Sequence, residues 1–261
     1  MRKDAIQLEE TRLNDVSTIE DYPDFHERHR IFPMVFEDRQ HKRILDLAAG
    51  VGCAAQRISE NYPAELLCND VTPKCLKILK DLGLTTVSFD LDDAEKPFPF
   101  PDGHFDAVVS TDVIEHIVNI DHFVKEIYRI LSDDGYLYMS TPNYVSFMYL
   151  PRFLLQGKTF HDPLSKSSRQ RYEFYAHVRY FTFRSMVEYV SSFGFVPDTV
   201  YLAAPAESTR YKKLSKPKAL VYRCAMNIIY HLFSPRWAPE SFVCFRKASG
   251  QANGRLKKVI L

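Results

Sequence analysis

From residue 41 onward, short apolar runs alternate with stretches of helical period. Residues 43–48, 65–70, 85–91, 105–111 and 136–141 read as strands, rich in Leu, Ile, Val and Phe and bounded by turn residues. Residues 50–61, 73–82 and 122–131 carry apolar side chains at helical spacing between them. The second begins at Pro73, where a missing N–H costs a helix nothing. The rhythm pauses over 142–180, resumes with a helix at 184–193 and a strand at 197–202, pauses again over 203–239, and closes with a strand at 241–246. Seven strands alternating with helices predict an α/β protein, a doubly wound and mostly parallel seven-stranded sheet with helical and aromatic insertions.

The flanks look different. Residues 1–16 are charged and weakly patterned and are expected to form a mobile arm. Residues 17–40 place aromatics at helical spacing, broken at Pro33, as a helical lid would. Residues 41–247 form the main domain, and 248–261 read as a polar tail. Composition narrows the picture. With 261 residues, 46% of them hydrophobic, the chain supports one large core, and a net charge of +1 disfavours a nucleic-acid partner. Five cysteines without a C-x-x-C pair disfavour a disulfide framework or zinc site. The N-terminus lacks an apolar signal core and no stretch is apolar enough to span a bilayer, so a cytoplasmic location is expected.

The candidate chemistry begins at R-I-L-D-L-A-A-G-V-G, residues 43–52. A buried strand runs into a turn at Gly50 and Gly52 and opens a helix, so that backbone approaches a ligand closely. Asp70 closes the next strand 20 positions after Gly50, where an acid hydrogen-bonds a ribose diol. G-V-G-C-A-A also matches a dinucleotide fingerprint, leaving NAD as an alternative cofactor. Asp46, just before the glycines, favours a sulfonium and an α-ammonium group over a pyrophosphate. A turn that merely packs strand on helix is the competing structural reading.

Residues 46–52 resemble the first motif of class I S-adenosylmethionine-dependent methyltransferases, D-x-G-x-G-x-G, with Ala48 in place of the first glycine. N-D-V-T-P at 69–73, F-P-F-P-D-G-H-F-D-A-V-V at 98–109, D-V-I-E-H-I at 112–117 and H-V-R-Y-F-T at 177–182 resemble later segments of the same family. The resemblance implies a Rossmann-like methyltransferase fold with S-adenosyl-L-methionine as cofactor. Asp46, Ala48, Ala49, Gly50 and Gly52 would hold the methionine part, and Asp70 with Val71 the ribose. Asp90 and Leu91, rather than Asp93 and Ala94, would take the adenine, with Thr111 beside the cofactor at the end of the fourth strand.

Methyl transfer needs an oriented acceptor and, for a hydroxyl, a base or an electrophile. Asp112, Glu115 and His116 form D-x-x-E-H, one face of a helix, and are candidate ligands of a divalent cation. The pattern is similar to the E-x-x-E-H metal motif of ubiquinone-pathway and small-RNA O-methyltransferases. Without a metal, His116 or His177 would serve as base, with Asp112 beside it. His161, Tyr175 and Arg179, together with Tyr172, are candidates to line an acceptor pocket, with an amphipathic cap as the plainer reading. His26 and His29 lie one helical turn apart, as a lid or a solvated face. The basic and apolar stretch 210–233, which includes Arg210, Lys212, Lys213 and Arg223, suits peripheral contact with an anionic membrane surface, or else a homodimer interface or a cap. The expected acceptor is a small molecule or a glycan- or lipid-linked compound, methylated at oxygen. A nicotinamide oxidoreductase and a non-catalytic cofactor-binding module are the competing functions.

Overall fold

The computed structural model describes residues 3–22, 29–158, 161, 163, 164, 166, 168–204, 216–248 and 256–261. His26, Arg210, Lys212 and Lys213 therefore lie outside the described residues. The strands are β1 (Arg43–Asp46), β2 (Glu65–Asn69), β3 (Thr85–Val87), β4 (Phe105–Thr111), β5 (Leu131–Pro142), β6 (Phe195–Leu202), β7 (Glu240–Lys247) and β8 (Lys257–Ile260). They form one eight-stranded sheet in the order β3-β2-β1-β4-β5-β7-β6-β8. β7 is antiparallel to both its neighbours, and the other pairs are parallel.

The period-2 alternation of β-strands divides the core between the two faces of the sheet. Leu45, Val108, Leu137, Met139, Val243 and Phe245 point to one face. There they meet α4 (Ile120–Ile130), α7 (Phe183–Ser191) and Met226 and Tyr230 of α8 (Lys216–Leu232). Ile44, Val109, Tyr138, Phe242 and Cys244 point to the other, against Phe32, Val35, Phe36 and α2 (Cys53–Asn61). In α4 the buried residues Ile120, Phe123, Val124, Ile127 and Ile130 recur at the i, i+3, i+4 spacing that gives a helix one apolar stripe. Burying five such side chains contributes on the order of 10 kcal/mol of transfer free energy before entropy is subtracted. α3 (Pro73–Asp81) starts on its proline, as its sequence predicts.

Four expectations need correction. The tail is not only polar. Lys257–Ile260 adds an eighth strand, parallel to β6, because its apolar end finds an unpaired sheet edge. Within the expected arm, residues 3–16 are not free. α1 (Lys3–Arg12) packs against α6 (Ser168–Ala176), and Leu13 and Val16 are buried with Val51, Cys75 and Ile78. Among its described residues, the lid segment 17–40 holds only single 3-10 turns, at Ile19–Asp21 and Met34–Phe36, around a cis Phe32–Pro33 bond. β3 stops at Val87 instead of continuing to residue 91. The insertions supply α5 (Leu150–Gln156), α6 and α8.

Candidate active site

The strand order reverses between β1 and β4, and the site lies beyond the carboxyl ends of these two strands, the usual crevice of a doubly wound sheet. Beyond Asp46 the backbone takes the left-handed conformation at Ala48 (φ 49°), Gly50 (φ 59°) and Gly52 (φ 92°). Ala48 holds this conformation at a cost of about 1–2 kcal/mol that glycine would avoid. The turn brings the Gly50 N–H to Asp70 Oδ2 at 2.9 Å, while the Thr72 N–H donates to Asp70 Oδ1 at 2.8 Å. Gly52 does something else. It caps α2, and a Cβ there would sit 3.0 Å from Leu79 Cδ2 and 3.3 Å from Leu82 Cδ1, so its role is close packing. It is not among the residues lining the cavity, contrary to the sequence reading.

That cavity, of about 650 Å³, is walled by Asp46, Ala48, Ala49 and Gly50, then by Asp70 and Val71, and by Asp90 and Leu91. Thr111 completes this side, and His29 Nε2 lies 3.4 Å from its hydroxyl. Asp93 lines no part of it and is held instead by Lys96 at 3.2 Å. Asp46 is buried, and its Oδ2 has no hydrogen-bond partner among the described residues. Burial, and then the charge of Asp70, push its carboxyl from 3.8 up to about 8. Burial also raises Asp70, against the hydrogen bonds from Thr72 and Gly50. A cation placed beside these two buried carboxyls would favour their ionised forms, and a diphosphate would oppose them.

The far end of the cavity holds Asp112, Glu115, His116, His161 and His177. Asp112 is not helical. It sits at φ 54°, outside the 3-10 turn Ile114–His116, and accepts a hydrogen bond from Ser140 Oγ at 3.1 Å. The backbone therefore turns Asp112 off the face expected to join it to Glu115 and His116. The group that converges is Glu115, His116 and His177, with one ligand atom of each lying within 4.8 Å of the others. Glu115 Oε2 accepts from Thr141, while Oε1 is buried without a hydrogen-bond partner among the described residues. Burial, and then Asp112, raise Glu115 well above the ordinary carboxylate range.

Hydrogen bonds fix the tautomers. His116 Nδ1 faces the Ala176 carbonyl at 3.1 Å, so Nδ1 carries the proton and the lone pair is on Nε2, 3.9 Å from Glu115 Oε1. A second chain runs from Glu173 through His161 Nδ1 (3.1 Å), His161 Nε2 to Tyr144 Oη (2.9 Å) and Tyr144 to His177 Nδ1 (2.7 Å). Where His161 Nδ1 donates to Glu173, Tyr144 donates to His161 Nε2. His177 then donates to Tyr144 and keeps its Nε2 unprotonated. Burial, and then the neighbouring histidines, hold His177 down at about 3, and burial lowers His116.

Two predicted acceptor residues are elsewhere. Tyr175 is 58% exposed and lines no part of the cavity. Arg179 donates to the Ile117 and Val118 carbonyls and braces the loop behind His116. α6 turns one side inward, and that side carries Tyr172, Glu173 and Ala176. Sequence reasoning missed Tyr144, whose only local signal is its place directly after the fifth strand. It also missed Glu9 and Arg12 of α1, which line the cavity with Tyr172. Burial would raise Glu9, but its hydrogen bond and charge contact with Arg12 hold it below the ordinary range.

A methyltransferase-domain family model matches residues 45–139. The malonyl-acyl-carrier-protein O-methyltransferase of Geobacter sulfurreducens is 37% identical over 110 residues, 41% of this chain and 41% of that protein. The demethylmenaquinone methyltransferase of Thermus thermophilus is 34% identical over 105 residues, 38% of this chain and 47% of that protein. The matched stretch thus spans less than half the length of either relative. A SAM-dependent methyltransferase of Archaeoglobus fulgidus superposes with a TM-score of 0.53 at 15% identity, covering 84% of this chain and 91% of that one. Residues 45–139 thus match the methyltransferase-domain family model, and the sheet that carries them has the fold of that S-adenosylmethionine-dependent methyltransferase.

Proposed function

We propose that this protein transfers the methyl group of S-adenosyl-L-methionine to a hydroxyl oxygen of a small-molecule acceptor, a class that includes glycan- and lipid-linked compounds. The observation that carries this reading is Asp46, a buried carboxyl whose Oδ2 has no hydrogen-bond partner among the described residues, beside Asp70 in the turn of the stretch that matches a methyltransferase domain. A ligand bringing a sulfonium and an α-ammonium group ionises this pair favourably, whereas a nicotinamide dinucleotide brings a diphosphate to it. The backbone of Ala49 and Gly50 would hold the methionine part, Asp70 the ribose diol, and Asp90 with Leu91 the adenine. Asp112, His116 and His177 would face the transferred methyl, with an unprotonated Nε2 on each histidine ready to take the acceptor's proton.

A second reading concerns a divalent cation. Glu115, His116 and His177, with a buried carboxyl oxygen that lacks a hydrogen-bond partner among the described residues and two oriented lone pairs, suit a cation in ligand type. A bound cation would polarise the acceptor hydroxyl. Asp112 lies outside this set. Calorimetric titration with S-adenosylhomocysteine and with NADH separates the methyltransferase from an oxidoreductase, and uptake of NADH alone would overturn the proposal. Labelled methyl donor incubated with cell extract, with and without chelator, then tests transfer and cation together. Tight cofactor binding with no labelled product across acceptors of different classes would favour the non-catalytic module.

A further inference from the structure

Beside the cavity lie two helices, α5 and α8, that carry exposed apolar side chains and no acids. α8 turns Met226 and Tyr230 inward, both buried. Its outward side chains Leu220, Val221, Ile228 and Leu232 are 57%, 68%, 57% and 75% exposed. α5 buries nothing, and its Leu154 and Leu155 are 69% and 84% exposed. The segments bearing the two helices are stitched together. Asn143 Nδ2 donates to the Arg236 and Ala238 carbonyls at 2.7 Å, and the Phe147 N–H donates to the Trp237 carbonyl at 3.2 Å. Met148, leading into α5, and Tyr222, on α8, both line the cavity.

Charge identifies the occupant. Neither helix contains Asp or Glu, while Arg152, Lys218, Arg223 and, just beyond α8, Arg236 are all cationic. In a chain of net charge +1 this is a local segregation. A two-fold contact between identical copies would set cation against cation. An anionic lipid surface complements both the charge and the exposed leucines. No described helix is long and apolar enough to cross a membrane, so the face would lie on the surface.

We propose that α5 and α8 form one docking face for an anionic lipid bilayer, which sets the cavity mouth against the membrane so that an amphiphilic acceptor enters from the lipid. The docking itself is independent of the methyltransferase reading, and only the delivery of an acceptor rests on it. The test is flotation of the full chain with phosphatidylcholine vesicles, with and without about one-third phosphatidylglycerol. It is run for the native protein and for Leu155→Glu and Ile228→Glu, neither of which lines the cavity. Native protein is expected on the anionic vesicles, with roughly tenfold or greater loss on neutral vesicles and in either variant. S-adenosylhomocysteine affinity should be unchanged in the variants, which reports folding. Absence from anionic vesicles, or variants that float as the native chain does, would overturn the proposal. So would a solution dimer that either substitution dissociates, because it would assign the face to a second copy. Vesicle binding without cofactor binding would leave the docking face standing and remove the methyltransferase.

Discussion

Replacing Asp46 by asparagine isolates the group on which the cofactor assignment turns. In the folded protein its carboxyl titrates at about 8, against 3.8 when unfolded. A carboxyl raised by folding stabilises the native state while it holds its proton. That stability is complete below pH 4 and is lost as pH rises through 8. Between pH 6 and 8 only the folded state titrates, which makes the loss about 2 kcal/mol, and about 6 kcal/mol over the whole window. Urea unfolding of cofactor-free protein at pH 6 and pH 8 should show this slope in the native chain and a curve flatter by that amount in Asp46→Asn. Binding of the cationic methyl donor ionises Asp46, so calorimetry at pH 7 in two buffers of different ionisation heat should report release of nearly one proton. Asp46→Asn should abolish that release and weaken binding tenfold or more, at least about 1.4 kcal/mol. Parallel pH curves for the two proteins, with no proton released on binding, would refute the reasoning.

Ala48→Gly removes a Cβ from a left-handed position, and up to about 1 kcal/mol of stabilisation is expected in the urea midpoint, part of the relieved strain being offset by glycine's entropy. Gly52→Ala has the opposite sign: a Cβ 3.0 Å from Leu79 at φ 92° should cost about 1–3 kcal/mol in the same assay. Arg179→Ala should cost about 1–2 kcal/mol in thermal unfolding through its carbonyl contacts, and leave the acceptor KM unaltered once an acceptor is known. Tyr144→Phe breaks the chain that orients His177, so kcat for an oxygen acceptor should fall on the order of tenfold to a hundredfold at unchanged cofactor affinity, read by steady-state kinetics and calorimetry.

The glycine-turn side of the cavity was largely legible in the chain. Asp46, Gly50 and Asp70 follow from local rules: a strand buried on both faces, a turn that favours residues without a large side chain, and an acid at the end of the next strand. Asp90 and Leu91 line the cavity and Asp93 does not, even though β3 ends four residues earlier than its pattern suggests, because the chain after Val87 runs to the cavity without ladder pairing. Gly52 shows the limit of such reading. The same spacing that marks a ligand turn also marks a close helix contact, and only the position of Leu79 distinguishes them.

The reacting end depended on contacts far apart in sequence. His116 meets the Ala176 carbonyl 60 positions away, and Tyr144 reaches His177 across 33. A helical D-x-x-E-H pattern cannot report that Asp112 leaves the helix at φ 54°, nor that α6 turns Tyr172 inward and Tyr175 outward. The same holds for α1 over the cavity and for β8, whose partners lie on elements remote in the chain. Hydrophobic period and turn sterics act between near neighbours, so the chain alone determined the alternating elements and the glycine turn. Which side chains share one cavity depends on rotations and registers set by packing between distant elements, and the tertiary structure alone decided that.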